Sequence, residues 1–377
     1  MKPDQSSKKS EQNVFKTRTD DDPDASIQEK ERGSPGLGLA AINSILNRGA
    51  RGGRVIAAFG TVQLICGTLS TQAQPLPPDV TASLRNVVGS RIEAAVILAG
   101  DQGFSGGTFS QVQGGTDRRS VDANVVKFGG AGDIGDPKPL DDLFLRWQPR
   151  LQGCMGYLTA RNDFHAGSID GDESEDKSFA IQFGGGARFW FNNHLSLAPT
   201  IMGMYGHTEN DYTARSAFAK ANYKQLQDLG LIDWTADTWS VIPGADLQYV
   251  FNWHRTVFTF SSDFAYYYTQ SFKTSNPNLS ISGSSVTWRN MMDVDIPLGV
   301  NLFNHELHTG GFFSRTDFYG DLQNGLSTDY MYHIHGRLVL DFLGKLWKVK
   351  WIGVGGSYLW GSNFNAWTVG ADVAFKF

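Results

Sequence analysis

The sequence predicts an all-β protein, in particular a transmembrane antiparallel up-and-down β-barrel of about 12 strands. Three observations predict it. Residues past about 90 alternate between apolar and polar side chains, the breaks between these segments are alternately long and short, and the last segment ends on an aromatic residue. A period of two places one row of side chains on each face of a strand. Long strands with one apolar and one charged face are typical of barrels with lipid outside and water inside.

Composition limits the other classes of protein. The chain has 377 residues, of which 41% are hydrophobic and 19% are charged, and its net charge is -5. This charge does not favour nucleic acid as a partner, because nucleic-acid binding needs a concentrated basic face. No stretch reaches the roughly 18 uninterrupted apolar residues of a membrane helix, so a membrane-embedded form would cross with strands.

The first quarter of the chain predicts three segments ahead of the barrel. Residues 1–47 are rich in charged and polar side chains, which predicts a disordered extension; its length raises the alternative of a translation start downstream of Met1. Residues 48–73 place arginines before an apolar run and end on Thr71 and Ala73, which is the layout of a signal peptide. Residues 74–91 are then an irregular periplasmic lead-in or a short plug helix, and residues 92–377 are the barrel.

The breaks and faces give the strand count. Apart from the first break at 361–363, which is short, tight periplasmic turns and longer external loops alternate back from the end of the chain to about residue 162. Further strands near 142–161, 112–128 and 92–105 bring the total to about 12, and an even count places both termini in the periplasm. The loop at 208–236 contains a helical pattern, which predicts a surface helix that acts as a lid or a receptor epitope.

Charged and imidazole side chains on the inward rows are the candidate pore-lining residues. They are Asp263, Arg289, Asp293, Asp295, Arg315, Asp317, His333, His335, Arg337, Asp341, Lys348 and Lys350. Charges of both signs on one wall predict ion pairs between neighbouring strands. The alternative is a weakly selective pore whose charges tune the passage of ions.

Catalysis is the weaker interpretation of the same wall. His333 and His335 share a row with Asp329 and Asp341, and a histidine paired with an acid can act as a general base. An outer-membrane hydrolase with a His/Asp site on the lumenal wall is therefore the alternative to a non-enzymatic barrel. We predict no catalytic residue, metal ligand or cofactor otherwise.

The final strand resembles the signal by which bacterial outer-membrane barrels are recognised for insertion. Phe377, Phe375 and Val373 form its alternating apolar row. The signal implies the outer membrane of a Gram-negative bacterium as the location. It also implies the barrel-assembly machinery and periplasmic chaperones as partners, with outer-membrane lipid and lipopolysaccharide around the barrel.

Four stretches resemble one family of outer-membrane barrels. They are "RIEAAVILAGDQGFSGGTF", "SVTWRNMMDVDIPLG", "SRTDFYGDL" and "GRLVLDFLGKLWKVKWIGVGGSYLWG". Together they resemble the solitary autotransporter-type barrels, a gammaproteobacterial group that has the translocator-like barrel and lacks a passenger. The resemblance implies an autotransporter-translocator-like fold and a passive pore or a structural outer-membrane protein.

Overall fold

The computed structural model describes residues 78–100, 107–113, 119–140, 145–164, 171–346, 349–362 and 365–375. The helices of these residues are α1 (Pro78–Gly100), α2 (Ala217–Asp228) and α3 (Asp321–Leu326). The strands are β1 (Gly107–Gln113), β2 (Arg119–Asp133), β3 (Lys138–Pro139), β4 (Arg146–Phe164), β5 (Glu173–Trp190), β6 (Leu195–Thr213), β7 (Trp234–Trp253), β8 (Thr256–Thr274), β9 (Ser282–Leu302), β10 (His305–Gly320), β11 (Tyr330–Leu346), β12 (Val349–Gly361) and β13 (Asn365–Phe375). The predicted extension at 1–47 and the signal peptide at 48–73 lie outside the described residues.

The strands form one antiparallel sheet that closes on itself. The described part of the chain has a 13-stranded sheet, in which β3 is a two-residue strand at the edge of β4, so twelve strands make up the wall. Each strand pairs with its neighbours along the chain, and β1 closes the ring by pairing with β13 from Thr108↔Trp367 to Ser110↔Asn365. The prediction of an up-and-down barrel of about 12 strands is confirmed.

The connections differ at the two ends of the barrel, as the break lengths predicted. Two-residue turns join β7 to β8 and β9 to β10. Phe303 and Asn304 in the second turn both have positive φ, the geometry that matches the right-handed twist of a tight hairpin. The opposite end carries the loops with α2 and α3. We call these the short-turn end and the long-loop end; in outer-membrane barrels they face the periplasm and the exterior.

The outer face is apolar over most of the barrel. The side chains exposed there belong to every second residue of the strands, among them Phe183, Ile201, Val241, Phe264, Met292, Leu338 and Val354. An exposed apolar surface of this extent is unstable in water and fits the hydrocarbon of a membrane. None of the three described helices is both long and apolar enough to cross a membrane.

The start of the barrel differs from the prediction. The prediction of a strand at 92–105 is wrong, because α1 continues to Gly100 and the first described strand begins at Gly107. The segment expected as one strand at 112–128 holds only the last two residues of β1 and most of β2, so β1 takes the place of the strand expected at 92–105 in the count. Ile92, Val96 and Ile97 are all at most 1% exposed, so the helix end is buried on several sides. A short apolar run of this kind does not distinguish a strand from a buried helix.

The predicted surface helix in the 208–236 loop is confirmed as α2. Ser216 caps its first turn by accepting a hydrogen bond from Ala219 N at 3.1 Å. Asp172 fixes this cap by accepting a 2.9 Å bond from the Ser216 hydroxyl. At the other end, the Asn276 amide donates to the Gln227 carbonyl at 2.7 Å. Two neighbouring loops therefore hold α2 in place at the long-loop end.

Candidate functional site in the barrel lumen

The long-loop half of the lumen is occupied by α1. Its C-terminal residues meet the wall where the strands carry small side chains. An added Cβ at Gly156 would lie 2.1 Å from the Ala99 carbonyl oxygen, and one at Gly206 would lie 2.5 Å from Val96 Cγ1. These glycines therefore let the helix approach the backbone of β4 and β6. Of the two alternatives for residues 74–91, the structure has a helix from Pro78 onward.

Polar contacts orient α1 within the barrel. The Ser285 hydroxyl on β9 donates to Glu93 Oε1 at 2.7 Å, and the Ser90 hydroxyl donates to Asp321 Oδ1 on α3 at 3.2 Å. Arg91 forms an ion pair with Asp176 on β5. Because the first residues of β9 and α3 belong to the long-loop end, the N-terminal part of α1 lies at that end. For the part from Pro78 onward, the structure therefore has the plug-helix alternative, with this helix in the long-loop half of the lumen.

The short-turn half of the lumen contains charged side chains instead of a helix. Arg188 on β5 is its most buried cation, with a side chain 3% exposed. Its guanidinium is 3.0 Å from Asp133 on β2 and 2.9 Å from Asp246 on β7. Arg150 on β4 contacts the same Asp133 at 2.9 Å. The wall on this side is therefore held by ion pairs that span several strands.

The opposite wall continues this pattern with residues that the sequence predicted. Arg289 on β9 lies 2.7 Å from Asp263 on β8, and Arg337 on β11 reaches Asp293 on β9 at 2.6 Å, across the intervening β10. His308 Nδ1 on β10 is 3.0 Å from Asp295. Pairing between charges of both signs on the wall, which was the structural interpretation, accounts for these contacts.

Two predicted pore-lining residues face outward. Arg315 and Asp317 on β10 pair in register with Tyr332 and Tyr330, and directly paired residues point to the same face of a sheet. Arg315 lies 5.1 Å from the Tyr330 ring and shares this outer face with Phe313. The placement of Arg315 and Asp317 in the lumen is therefore wrong. Their neighbours Ser314, Thr316 and Phe318, which are buried, point inward.

The predictions for the end of the chain, two pore-lining lysines and the assembly signal, fall partly outside the described residues. Lys348 and Phe377 lie outside the described residues, and Lys350 falls at an irregularity in register between Val349 and Trp351. Phe375 pairs with Val349, and Val373 pairs with Ile352, whose side chain is on the outer face. The assembly signal itself stays a prediction.

The histidines do not form the His/Asp arrangement that the enzyme hypothesis expected. The His333 ring is packed edge-on against Phe312, with the ring centroids 4.7 Å apart. His335 Nδ1 forms a 2.8 Å hydrogen bond with the Ser357 hydroxyl on β12. Asp341 lies 3.9 Å from His308 on β10, and Asp329 accepts a bond from Gln323. The structure thus brings a serine to His335, which spacing along the sequence could not indicate.

Sequence reasoning missed the most buried lumenal charges. Asp246 sits between the outward residues Ala245 and Leu247 of an alternating strand, so its inward position could have been found from the pattern. Arg150 and Arg188 lie in strands whose alternation is interrupted by glycines and prolines, which weakens that signal. Glu93 was missed because its segment was predicted to be a strand, whereas it belongs to helix α1.

Residues 140–370 match the family model of the solitary outer membrane autotransporter beta-barrel domain. This chain belongs to that family. The solitary autotransporter barrel described here is accordingly an outer-membrane protein of a Gram-negative bacterium. No curated protein matches the sequence at a significant level.

Three solved structures are similar to this solitary autotransporter barrel in fold. The transport unit of the autotransporter AIDA-I from Escherichia coli has a TM-score of 0.47 at 8% identity, covering 72% of this chain and 88% of that one. The beta domain of the Bordetella autotransporter Brka has a TM-score of 0.40 at 12% identity, with coverages of 72% and 99%. The translocator domain of autotransporter NalP from Neisseria meningitidis has a TM-score of 0.40 at 11% identity, with coverages of 79% and 98%.

Proposed function

We propose that this protein is a passive outer-membrane barrel that its own helix α1 closes, with a structural role in the envelope and little conductance at rest. The observation that carries the proposal is the burial of α1. Val96, Ile97 and Ala99 are 0% exposed, and the wall approaches the helix closely at Gly206 beside Val96 and at Gly156 beside Ala99. A lumen filled in this way leaves little room for a hydrated solute in the long-loop half.

The wall supports a passive role as well. Its cations Arg188, Arg289 and Arg337 each face a carboxylate within 3.0 Å, and charges neutralised in this way attract a passing ion less than unpaired rings of charge do. Paired charges also fix the spacing of the strands around the lumen. The short-turn half thus favours a rigid wall over a selective filter.

Conductance in planar bilayers tests this proposal. We expect the full chain to be nearly silent and a variant without residues 78–100 to conduct in steady steps. Gly206→Leu serves as a second variant that keeps the chain length, because its side chain would collide with Val96 of α1. Equal, steady conductance of the full chain and both variants would contradict a lumen closed by α1.

An enzyme is the second candidate, and the hydrogen bond between His335 and Ser357 favours it. A serine hydroxyl that is hydrogen-bonded to an imidazole can act as a nucleophile, with the imidazole as its general base. A fluorophosphonate probe should then label the protein at Ser357, and Ser357→Ala should lose this labelling. Ser314→Ala, which replaces another buried inward serine, should be labelled as the wild type is. Absence of labelling in the folded barrel would rule out this candidate.

A further inference from the structure

A cavity opens between α1, the first residues of β9 and α3 at the long-loop end of the barrel. Its volume is about 400 Å³, and its lining includes Asn86, Ser90, Glu93, Gly283, Asp321 and Asn324. The lining presents side-chain oxygen atoms from two carboxylates, two amides and three serine hydroxyls. These residues come from three separate elements, so a ligand held here would join the plug helix to the wall.

Glu93 is buried in the wall of this cavity and only partly satisfied. The residue is 1% exposed. Its Oε1 accepts the hydrogen bond from Ser285, whereas its buried Oε2 has no hydrogen-bond partner. A buried carboxylate is stable only when a proton, a cation or hydrogen-bond donors compensate its charge. Glu93 Oε2 is therefore an acceptor position that the protein itself leaves open.

Asp321 brings a second carboxylate to the same point. A Cβ added at Gly283 would lie 2.1 Å from Glu93 Oε2 and 2.8 Å from Asp321 Oδ2. The two oxygen atoms therefore face the same small volume, which the missing side chain of Gly283 keeps free. Asp321 is held in this orientation, since its Oδ2 also accepts a 3.0 Å bond from Ser284 N. The negative charge of Asp321 repels that of Glu93. A cation between the two carboxylates would remove this repulsion.

We propose that this cavity is a binding site for a divalent cation of the calcium class, which ties α1 to β9 and α3. Calcium binds six to eight oxygen ligands in a flexible geometry and accepts carboxylates, amide carbonyls and water together. The described residues contain no group of three or more His, Cys, Asp or Glu side chains that could hold a metal ion. The remaining ligands beside Glu93 and Asp321 are therefore neutral oxygens, such as the amides of Asn86 and Asn324.

The proposal rests on the closed lumen proposed above, because α1 supplies Glu93 and Asn86. It adds a regulatory consequence to that closure. The long-loop end faces the exterior, so the cation would come from the medium and not from the periplasm. Removal of divalent cations would then leave two carboxylates facing each other and weaken the docking of α1.

Isothermal titration of the refolded full chain with calcium chloride, in detergent free of lipopolysaccharide, tests the site. We expect one site per chain in the wild type, loss of its binding heat in Glu93→Gln and in Asp321→Asn, and weaker binding of magnesium. Asp228→Asn is the matched control, because Asp228 is an exposed acid on α2 at the same end of the barrel. The control should bind calcium as the wild type does.

A disulfide between Gly100→Cys and Ala180→Cys, formed in the same preparation, separates the two proposals. If the cross-link forms but the wild type shows no calcium heat, or Glu93→Gln retains it, the cation site is wrong and the closed lumen stands. If the cross-link does not form, the closure itself fails. Stabilisation of the wild type by acid alone, with no effect of calcium, would show that a shared proton occupies the position and would overturn the cation site.

Discussion

The two halves of the lumen are closed by different means. The long-loop half is filled by α1, which buries apolar side chains such as Val96 and Ile97 against the rest of the barrel. The short-turn half is crossed by ion pairs such as Arg188 with Asp133 and Asp246, which belong to the wall itself. The sheet closes through strand pairing alone, so we expect that α1 can leave its place while the barrel stays folded, whereas the ion pairs join the strands of the wall themselves. We infer that the first half can respond to conditions and the second holds the barrel together.

Removing a lumenal cation should have the largest effect. Arg188→Ala removes the most buried cation of this wall, which lies within 3.0 Å of both Asp133 and Asp246, and breaking a buried pair in this way costs about 3 to 5 kcal/mol. Urea unfolding in liposomes should show this loss in the free energy of unfolding. A loss below about 1 kcal/mol, the range of exposed pairs, would mean that the short-turn half does not depend on its ion pairs.

The docking of α1 should depend on pH when divalent cations are chelated. Burial raises the pKa of Glu93 from 4.5 to about 7, and Asp321 adds to the increase. The docked helix thus favours the protonated form. Docking should be strongest below about pH 4.5, weaken up to about pH 7 and stay constant above it. At one pKa unit per 1.4 kcal/mol, the total loss is of the order of 3 kcal/mol.

The labelling rate of a thiol introduced as Ala180→Cys measures this dependence. Ala180 is fully buried and lies against Gly100 of α1, so its labelling requires the helix to move. The same cysteine in a Glu93→Gln chain corrects for the reactivity of the thiol at each pH. A ratio of the two rates that does not change between pH 4.5 and 7 would contradict the role of Glu93.

A smaller effect on the docking of α1 is expected from a substitution in the wall that pushes against the helix. Gly206→Leu places a side chain against Val96 of α1, and overpacking of this kind costs about 1 to 3 kcal/mol. The cost should appear as faster labelling of Ala180→Cys, with little change in unfolding of the barrel. Gly203→Leu is the control, since an added Cβ at Gly203 meets no atom within 4 Å. Equal labelling in both variants would argue against contact between α1 and β6.

The smallest effect should come from the outer face. Arg315→Ala removes an exposed pair with Asp317, and such pairs contribute about 1 kcal/mol or less. Unfolding of this variant beside Arg188→Ala compares an exposed arginine with a buried one. If Arg315→Ala destabilises the barrel as much as Arg188→Ala does, our assignment of the two arginines to opposite faces is wrong.

The sequence predicted the wall of the barrel better than its contents. Alternation is clear in β7, β9 and β11, because one face meets lipid and the other meets water, so even single residues such as Leu338 were placed on the correct face. Arg315 and Asp317 were misplaced because charge alone was read as inward. Near the ends of strands the outer face leaves the hydrocarbon, and aromatic rings such as Tyr330 accept a charged neighbour there.

The helix in the lumen was the harder part. Residues of α1 are buried on several sides, so they lack the single apolar stripe that identifies a surface helix. Its β-branched residues Ile92 and Val96 are equally suited to a strand. The ion pairs of Arg188 were also out of reach, since they join residues more than fifty positions apart through the order of the strands.

A disulfide test of the position of α1 examines the central claim most directly. Both natural cysteines, Cys66 and Cys154, are replaced by Ser, and Gly100→Cys is combined with Ala180→Cys. A Cβ at position 100 would lie 3.0 Å from the Ala180 Cβ and 2.6 Å from Met204 Sδ. Once the flexible Met204 side chain moves aside, a small shift brings the two Cβ atoms to the separation of about 3.5 to 4.5 Å in disulfides. We expect rapid cross-linking in oxidised outer membranes, and none when Gly100→Cys is combined with Ile181→Cys on the outer face. Failure of the first pair to cross-link in a folded barrel, or equal cross-linking of both pairs, would contradict a lumen closed by α1.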